Sequence, residues 1–154
     1  MIEYYITSIS NLSCEMTEEI ISNSSKFRID KYNAINSKEV KKEILAATYL
    51  IDKHLRKYGL REKDMEYMIG KNGKPSFENH PEINFSISHS KDLVLVAFSD
   101  IEVGCDMQIV KNIDSNIFDK VLAIKVLPLP VGPNSKMFDF SNSTSVSFIR
   151  DRIL

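Results

Sequence analysis

Gly73-Lys74-Pro75, followed by INFSISHS at residues 83–90, LVLVAF at 93–98 and VGCDMQIV at 103–110, is the stretch that decides the fold. Ile83, Phe85 and Ile87 alternate with Asn84, Ser86 and Ser88, the two-residue period of a strand with one apolar and one polar face. His89 and Ser90 close that strand in a polar cluster. Residues 93–98 are continuously apolar, which predicts a central strand buried on both faces. Residues 99–102 form a short polar connection, and a further strand over 103–110 carries Asp106.

Working outward, the segment before this stretch predicts one long helix. Asn36 and Glu39 have capping-box spacing. Val40, Ile44, Ala47, Ile51, Leu55 and Tyr58 recur at three and four residues as one buried stripe, and Gly59 supplies a left-handed stop. Residues 1–8 read as a strand, and Thr17 as the cap of a short helix through Ile21. Residues 22–25 are the break after that helix, and Lys26, Arg28 and Lys31 fall in a segment without clear periodicity. Met65, Tyr67 and Ile69 suggest a strand, and the turn over 70–75 presents Lys74 at an exposed position.

With 154 residues, 43% of them hydrophobic, the chain can bury the core of one domain. A net charge of -1 excludes a generally polybasic, nucleic-acid-binding protein. The charge is nevertheless uneven: residues 26–63 hold eleven Lys or Arg against five Asp or Glu. That is either a solvated helix face or a set of contacts to an anion. The chain opens without a basic, then apolar, leader and has no apolar run near the ~20 residues that span a bilayer, so a cytoplasmic protein without membrane partners is expected. Cys14 and Cys105 lack ligand spacing and read as free thiols.

Two residues invite chemistry. His89 at a strand end is by itself more often a hydrogen-bonded structural histidine than a functional one. Asp106, set among apolar neighbours, implies a partner, because a buried carboxylate is costly unless compensated. A salt bridge and Mg2+ are the two alternatives.

Taken together, Gly73-Lys74-Pro75, Phe85-Ser86-Ile87-Ser88-His89-Ser90 and Val103-Gly104-Cys105-Asp106-Met107, with Gln108 after it, resemble the Sfp-type 4'-phosphopantetheinyl transferases in order and spacing. The resemblance implies a fold of two similar α+β halves, of which this chain holds the first pseudo-repeat (1–102), the start of the second (103–122) and an atypical tail (123–154). It implies Mg2+-dependent transfer of 4'-phosphopantetheine from coenzyme A to a serine of an acyl or peptidyl carrier protein, releasing adenosine 3',5'-bisphosphate. Coenzyme A would be held by Lys42 near the start of the long helix, by Arg28 and Lys31, with Lys26 beside them, by Lys74, and by Ser88, His89 and Ser90 at the diphosphate. Asp106 and Gln108 would ligate the metal, Gln108 through a neutral carbonyl oxygen. A monomer is implied for an intact member, with self-association where a half is missing.

The sequence departs from that pattern downstream. The family's third motif, an aromatic residue followed by Lys-Glu on a helix, supplies the general base, and Glu102 is the last glutamate here. No catalytic base is therefore assigned. Pro128, Pro130 and Pro133 stop any helix begun near Ser115, while Ser141, Ser143, Ser145 and Ser147 alternate as one weak strand or a disordered tail. The expectation is a chain truncated or frameshifted after about residue 122. The alternative functions are a noncatalytic module binding coenzyme A or a carrier protein, and a remnant structural domain.

Overall fold

All seven residues of the strand Leu93–Ser99 are buried, as its uninterrupted apolar run predicts, and this strand forms the middle of the sheet. In the computed structural model, which describes residues 1–110, 121–128 and 147–148, the chain order is β1 (Ile2–Ser8), α1 (Cys14–Ser22), α2 (Lys26–Ala34), α3 (Lys38–Leu55), β2 (Tyr67–Ile69), β3 (Pro75–Phe77), β4 (Asn84–Ser90), β5 (Leu93–Ser99), β6 (Val103–Val110), β7 (Val121–Pro128) and β8 (Ser147–Phe148). β5 lies between β1 and β4, antiparallel to both. β2 and β3 form a small hairpin, and β6, β7 and β8 a second three-stranded sheet. The class is α+β. Among the described residues, no helix is long and apolar enough to cross a membrane.

Register sorts the side chains into two layers. Phe85, Val94, Val96 and Phe98 share one face and join Leu45, Ala46, Ala47, Leu50, Ile51 and Leu55 of α3 in the main core. Ile6, Leu93 and Leu95 point to the other face and meet Met107 of β6. The sheet is thus covered by a helix in front and a strand behind.

α3 follows its periodicity with small shifts. Its cap is Ser37 rather than Asn36: the Ser37 hydroxyl accepts the Val40 N–H at 3.4 Å. The helix passes into a 3-10 turn, Arg56–Tyr58, and ends at Gly59 with φ 73, the left-handed stop that glycine favours. Ile44, Ala47, Ile51 and Leu55 are buried, whereas Val40 and Tyr58 at the two ends of the stripe are exposed. His54, near the end of α3, stacks on Phe98 at 3.7 Å between centroids. α1 is capped by Ser13, not Thr17. Residues 26–34, aperiodic in sequence, form α2 behind the cap Ser25.

A buried polar knot explains α2. Glu62 is fully buried and accepts from the Ser25 N–H at 2.8 Å, the Ser25 hydroxyl at 2.7 Å and the Tyr67 hydroxyl at 2.8 Å. Arg28, only 2% exposed, stands 4.0 Å from the same carboxylate and 5.2 Å from the centre of the Tyr67 ring. Burial first, with Glu62 opposing the Arg28 guanidinium, pushes the Tyr67 phenol well above its ordinary range. The knot ties the first turn of α2 to the residues just before β2.

The helix expected near Ser115 lies mostly outside the described residues. Its last positions fall on β7, which pairs with β6 and runs across the boundary drawn at residue 122. Of the expected serine strand, only Ser147 lies in a described element, β8; Ser141, Ser143 and Ser145 lie outside the described residues.

Two outcomes follow from the core. Glu62→Ala strands the Arg28 charge in the interior and lowers the unfolding free energy by about 3–5 kcal/mol, while Lys63→Ala on the exposed side of the same turn changes it by less than about 0.5 kcal/mol; urea denaturation of the two variants measures the contrast. His54 is held below its ordinary value by burial, Lys57 adding to the effect and Glu3 opposing it. The unfolded chain therefore takes up a proton near pH ~6.5 that the folded chain refuses until lower pH. Stability falls as pH drops below about 6.5 and levels off below the folded value. The loss between about pH 7.5 and about pH 5.5 should be smaller in His54→Gln than in the parent chain.

Candidate functional site

β6 is seated on β4 through serine side chains. The Cys105 N–H donates to Ser86 Oγ at 3.2 Å and the Met107 N–H to Ser88 Oγ at 3.1 Å. Equal steps along both strands mean that they run in the same direction. The polar face of β4 is therefore not a solvent face: Ser86 and Ser88 satisfy backbone donors that no neighbouring strand takes up. Ser90, one step further, keeps a free hydroxyl among the described residues.

This seating fixes where Asp106 points. Val103 and Met107 turn inward and are buried, so Gly104, Asp106 and Gln108 alternate outward. Asp106 is half-buried, not enclosed by apolar side chains, and the compensation demanded of a buried carboxylate is not needed. Its Oδ1 accepts the Met107 N–H at 3.0 Å and its Oδ2 accepts the Gln108 side-chain amide at 3.3 Å. Its Cα partner across the β6–β7 ladder is Lys125, so the register sets a cation opposite the carboxylate, and the salt-bridge alternative stands beside the metal.

The donor set can be tested against Mg2+. Among the described residues, no three His, Cys, Asp or Glu side chains gather as a metal cage. Asp106 and Gln108 do lie side by side, but the Gln108 amide nitrogen, not its oxygen, faces the carboxylate, and the carbonyl oxygen would reach a shared cation only with the amide turned over. The carboxylate suits a hard cation that takes the rest of its ligands from phosphate and water.

His89 stands on the other side of the sheet. By register it shares the face of Phe85 and Ile87, which is the face covered by α3, and its Nδ1 lies 3.5 Å from Glu43 Oε2. His89 is 60% exposed and Glu43 17% exposed. Lys42, next to Glu43, is exposed and without a partner among the described residues. The β4–β5 turn that follows holds Lys91 at φ 54, a left-handed backbone that glycine would adopt with less strain.

The remaining predicted contacts are scattered. Lys74 is half-buried rather than exposed: its Nζ donates to the Val103 carbonyl at 2.7 Å and lies 3.6 Å from Glu102. Val103 is level with Asn84, five residues before His89, so Lys74 reaches β6 about 16 Å from the His89 end of β4. Arg28 is consumed by the Glu62 knot, although its Nη2 is buried without a hydrogen-bond partner. Lys31 is pushed below its ordinary range, by partial desolvation and then by nearby Arg28. Lys26 is exposed. The structure thus brings His89 to the start of α3 and pairs Asp106 with Gln108, but it does not gather Arg28 or Lys74 at either place. Cavities of about 190 Å3 between α1 and α3 and about 410 Å3 beside His54 include none of these residues.

Glu43 was not singled out by the sequence reading. A signal was present: Glu43 follows Val40 by three and precedes Ala47 by four, which places a carboxylate within the apolar stripe.

The similarity is to transferases. The 4'-phosphopantetheinyl transferase Sfp of Bacillus subtilis (strain 168) is 30% identical over 107 residues, 69% of this chain and 48% of that protein. The 4'-phosphopantetheinyl transferase ffp of Bacillus subtilis is 28% identical over 110 residues, 71% of this chain and 49% of that protein. The chain spans about half the length of the curated relatives it matches. No protein-family model matches it.

The serine seat can be measured directly. Ser86→Ala leaves the Cys105 N–H without its acceptor and costs about 1–3 kcal/mol, whereas Ser88→Ala costs less because Asp106 also accepts from Met107. Amide hydrogen exchange at Cys105 and Met107 reports each loss at its own position.

Proposed function

We propose that the chain is a 4'-phosphopantetheinyl transferase by descent and that it binds coenzyme A in the presence of Mg2+ and works on a carrier protein in the cytoplasm. The observation that carries this reading is the similarity of about 70% of the chain to two proteins of that one named activity. Two local arrangements support it. Asp106 and Gln108 stand together on the outward face of β6, joined by the Gln108 amide N–H on Asp106 Oδ2, and the exposed pair Lys42 and His89 stands where the start of α3 meets the end of β4.

In this reading His89 and Ser90 donate hydrogen bonds to the diphosphate of coenzyme A, with the remaining proton of the Ser88 hydroxyl as a further donor. Lys42 meets a phosphate of the same ligand as an exposed ammonium, and Lys31 is the second cation of that group. Arg28 supports the ligand site from within by fixing α2. Lys74 holds the entry of β6 and with it the position of Asp106. Bound Mg2+ would neutralise diphosphate charge, and Asp106 and Gln108 would hold it.

A second reading is a noncatalytic module that binds coenzyme A or a carrier protein. Mass spectrometry of a purified apo carrier protein incubated with this chain, coenzyme A and Mg2+ separates the two. A phosphopantetheine mass gain that Asp106→Ala abolishes supports the transferase. Coenzyme A binding without any mass gain, from a folded chain, supports the binding module. Failure to bind either coenzyme A or the carrier protein overturns both.

A further inference from the structure

A carboxylate beside an anion-binding group needs a reason. Glu43 is 17% exposed, lies in the apolar stripe of α3 and stands next to Lys42, where the proposed function places phosphate. Left alone there, it would repel the ligand and bear a desolvation cost. Among the described residues its one charged neighbour at ion-pair distance is His89, with Nδ1 at 3.5 Å from Oε2. His89 in turn is anchored by β4 only at its backbone, and its ring is 60% exposed. A freely turning exposed imidazole would be a poor anion donor, because each of its rotamers presents a different nitrogen.

We infer that Glu43 is the positioning residue for His89: its carboxylate engages Nδ1, holds the ring in one orientation and so turns the Nε2 edge outward, toward the diphosphate of the bound ligand. A carboxylate that holds one imidazole nitrogen so that the other can act is a recurring use of the two unlike ring nitrogens. The inference rests on the coenzyme A reading and adds to it a residue that neither motif spacing nor net charge pointed to. The fold supplies the precision. α3 is pinned at its far end by His54 on Phe98, and the eleven residues from Glu43 to His54 cover about 16 Å of helix, close to the about 13 Å of strand between His89 and Phe85.

The test uses the full chain with uniformly 15N-labelled histidine, and coenzyme A with Mg2+ as the titrant. In the ligand-free parent chain the His89 nitrogens should show Nδ1 protonated and hydrogen-bonded. Glu43→Gln should alter that signature and weaken coenzyme A binding on the order of tenfold. In a His89→Ala background the same substitution should change affinity little, since the two residues act as one unit. Four results would overturn the inference. The first is a parent spectrum with an unengaged Nδ1. The second is unchanged or tighter binding by Glu43→Gln, the outcome expected if the carboxylate merely repelled the ligand. The third is an equal loss in the His89→Ala background, which would mark a purely structural role. Each of these leaves the coenzyme A reading standing if the parent chain binds. The fourth, no binding by the parent chain, removes that reading and the inference with it.

Discussion

Burial of β5 on both faces is the constraint from which the arrangement follows. A strand with no solvent face needs a partner along each edge and a cover on each side. β1 and β4 supply the edges, α3 the front cover and β6 the back. The back cover is unusual in its attachment: the backbone of β6 is held by hydroxyls of β4 instead of by a strand ladder. That attachment sets which residues of β6 turn inward, and the outward position of Asp106 is a consequence of Val103 and Met107 being needed inside.

The basic stretch shows how far charge counting can go. Five of the eleven cations between residues 26 and 63 have internal work. Arg28 faces Glu62, Lys41 covers the Tyr32 ring, Arg56 and Arg61 share Asp52, and Lys57 pairs with Glu3. Burial resists the ionised form of Asp52, yet the Glu62 N–H and the two guanidinium groups outweigh it and hold the carboxyl below its ordinary range. Much of the local excess is therefore structural, and exposed Lys42 gains weight as a ligand contact because it is not among those five.

Elements with strong periodicity were legible: α3, β4, β5 and β6 all stand where alternation or the helical repeat puts them. Caps were displaced because Ser37 adjoins Asn36 and Ser13 stands one helical turn before Thr17, residues of similar capping chemistry between which only backbone geometry chooses. α2 was missed because its order comes from Glu62, far along the chain, and its own pattern is weakly amphipathic. Lys74 read as an exposed cation and Arg28 as a ligand contact because a sequence does not say which long side chain will find an acceptor. Asp106 read as buried for a similar reason: the alternation of β6 places Val103 and Met107 on the inner face and leaves Asp106 and Gln108 outside. Glu43 and His89 are 46 positions apart, and only the packing of α3 on the sheet brings them together.

The pairing of β1 with β5 has a consequence for how the chain is made. Ile2 lies opposite Ser99 and Ser8 opposite Leu93, so β1 leaves the ribosome well before the strand it pairs with and waits for it through the helices and β4. The intervening helices can form locally, but the sheet closes only across that long loop, which is the slow class of folding step. During this interval Ile2, Tyr4, Tyr5 and Ile6 form an unpaired apolar strand, the kind of segment that chaperones engage on nascent chains. The sheet that holds His89 and seats β6 is thus complete only late in synthesis, and its first strand waits longest.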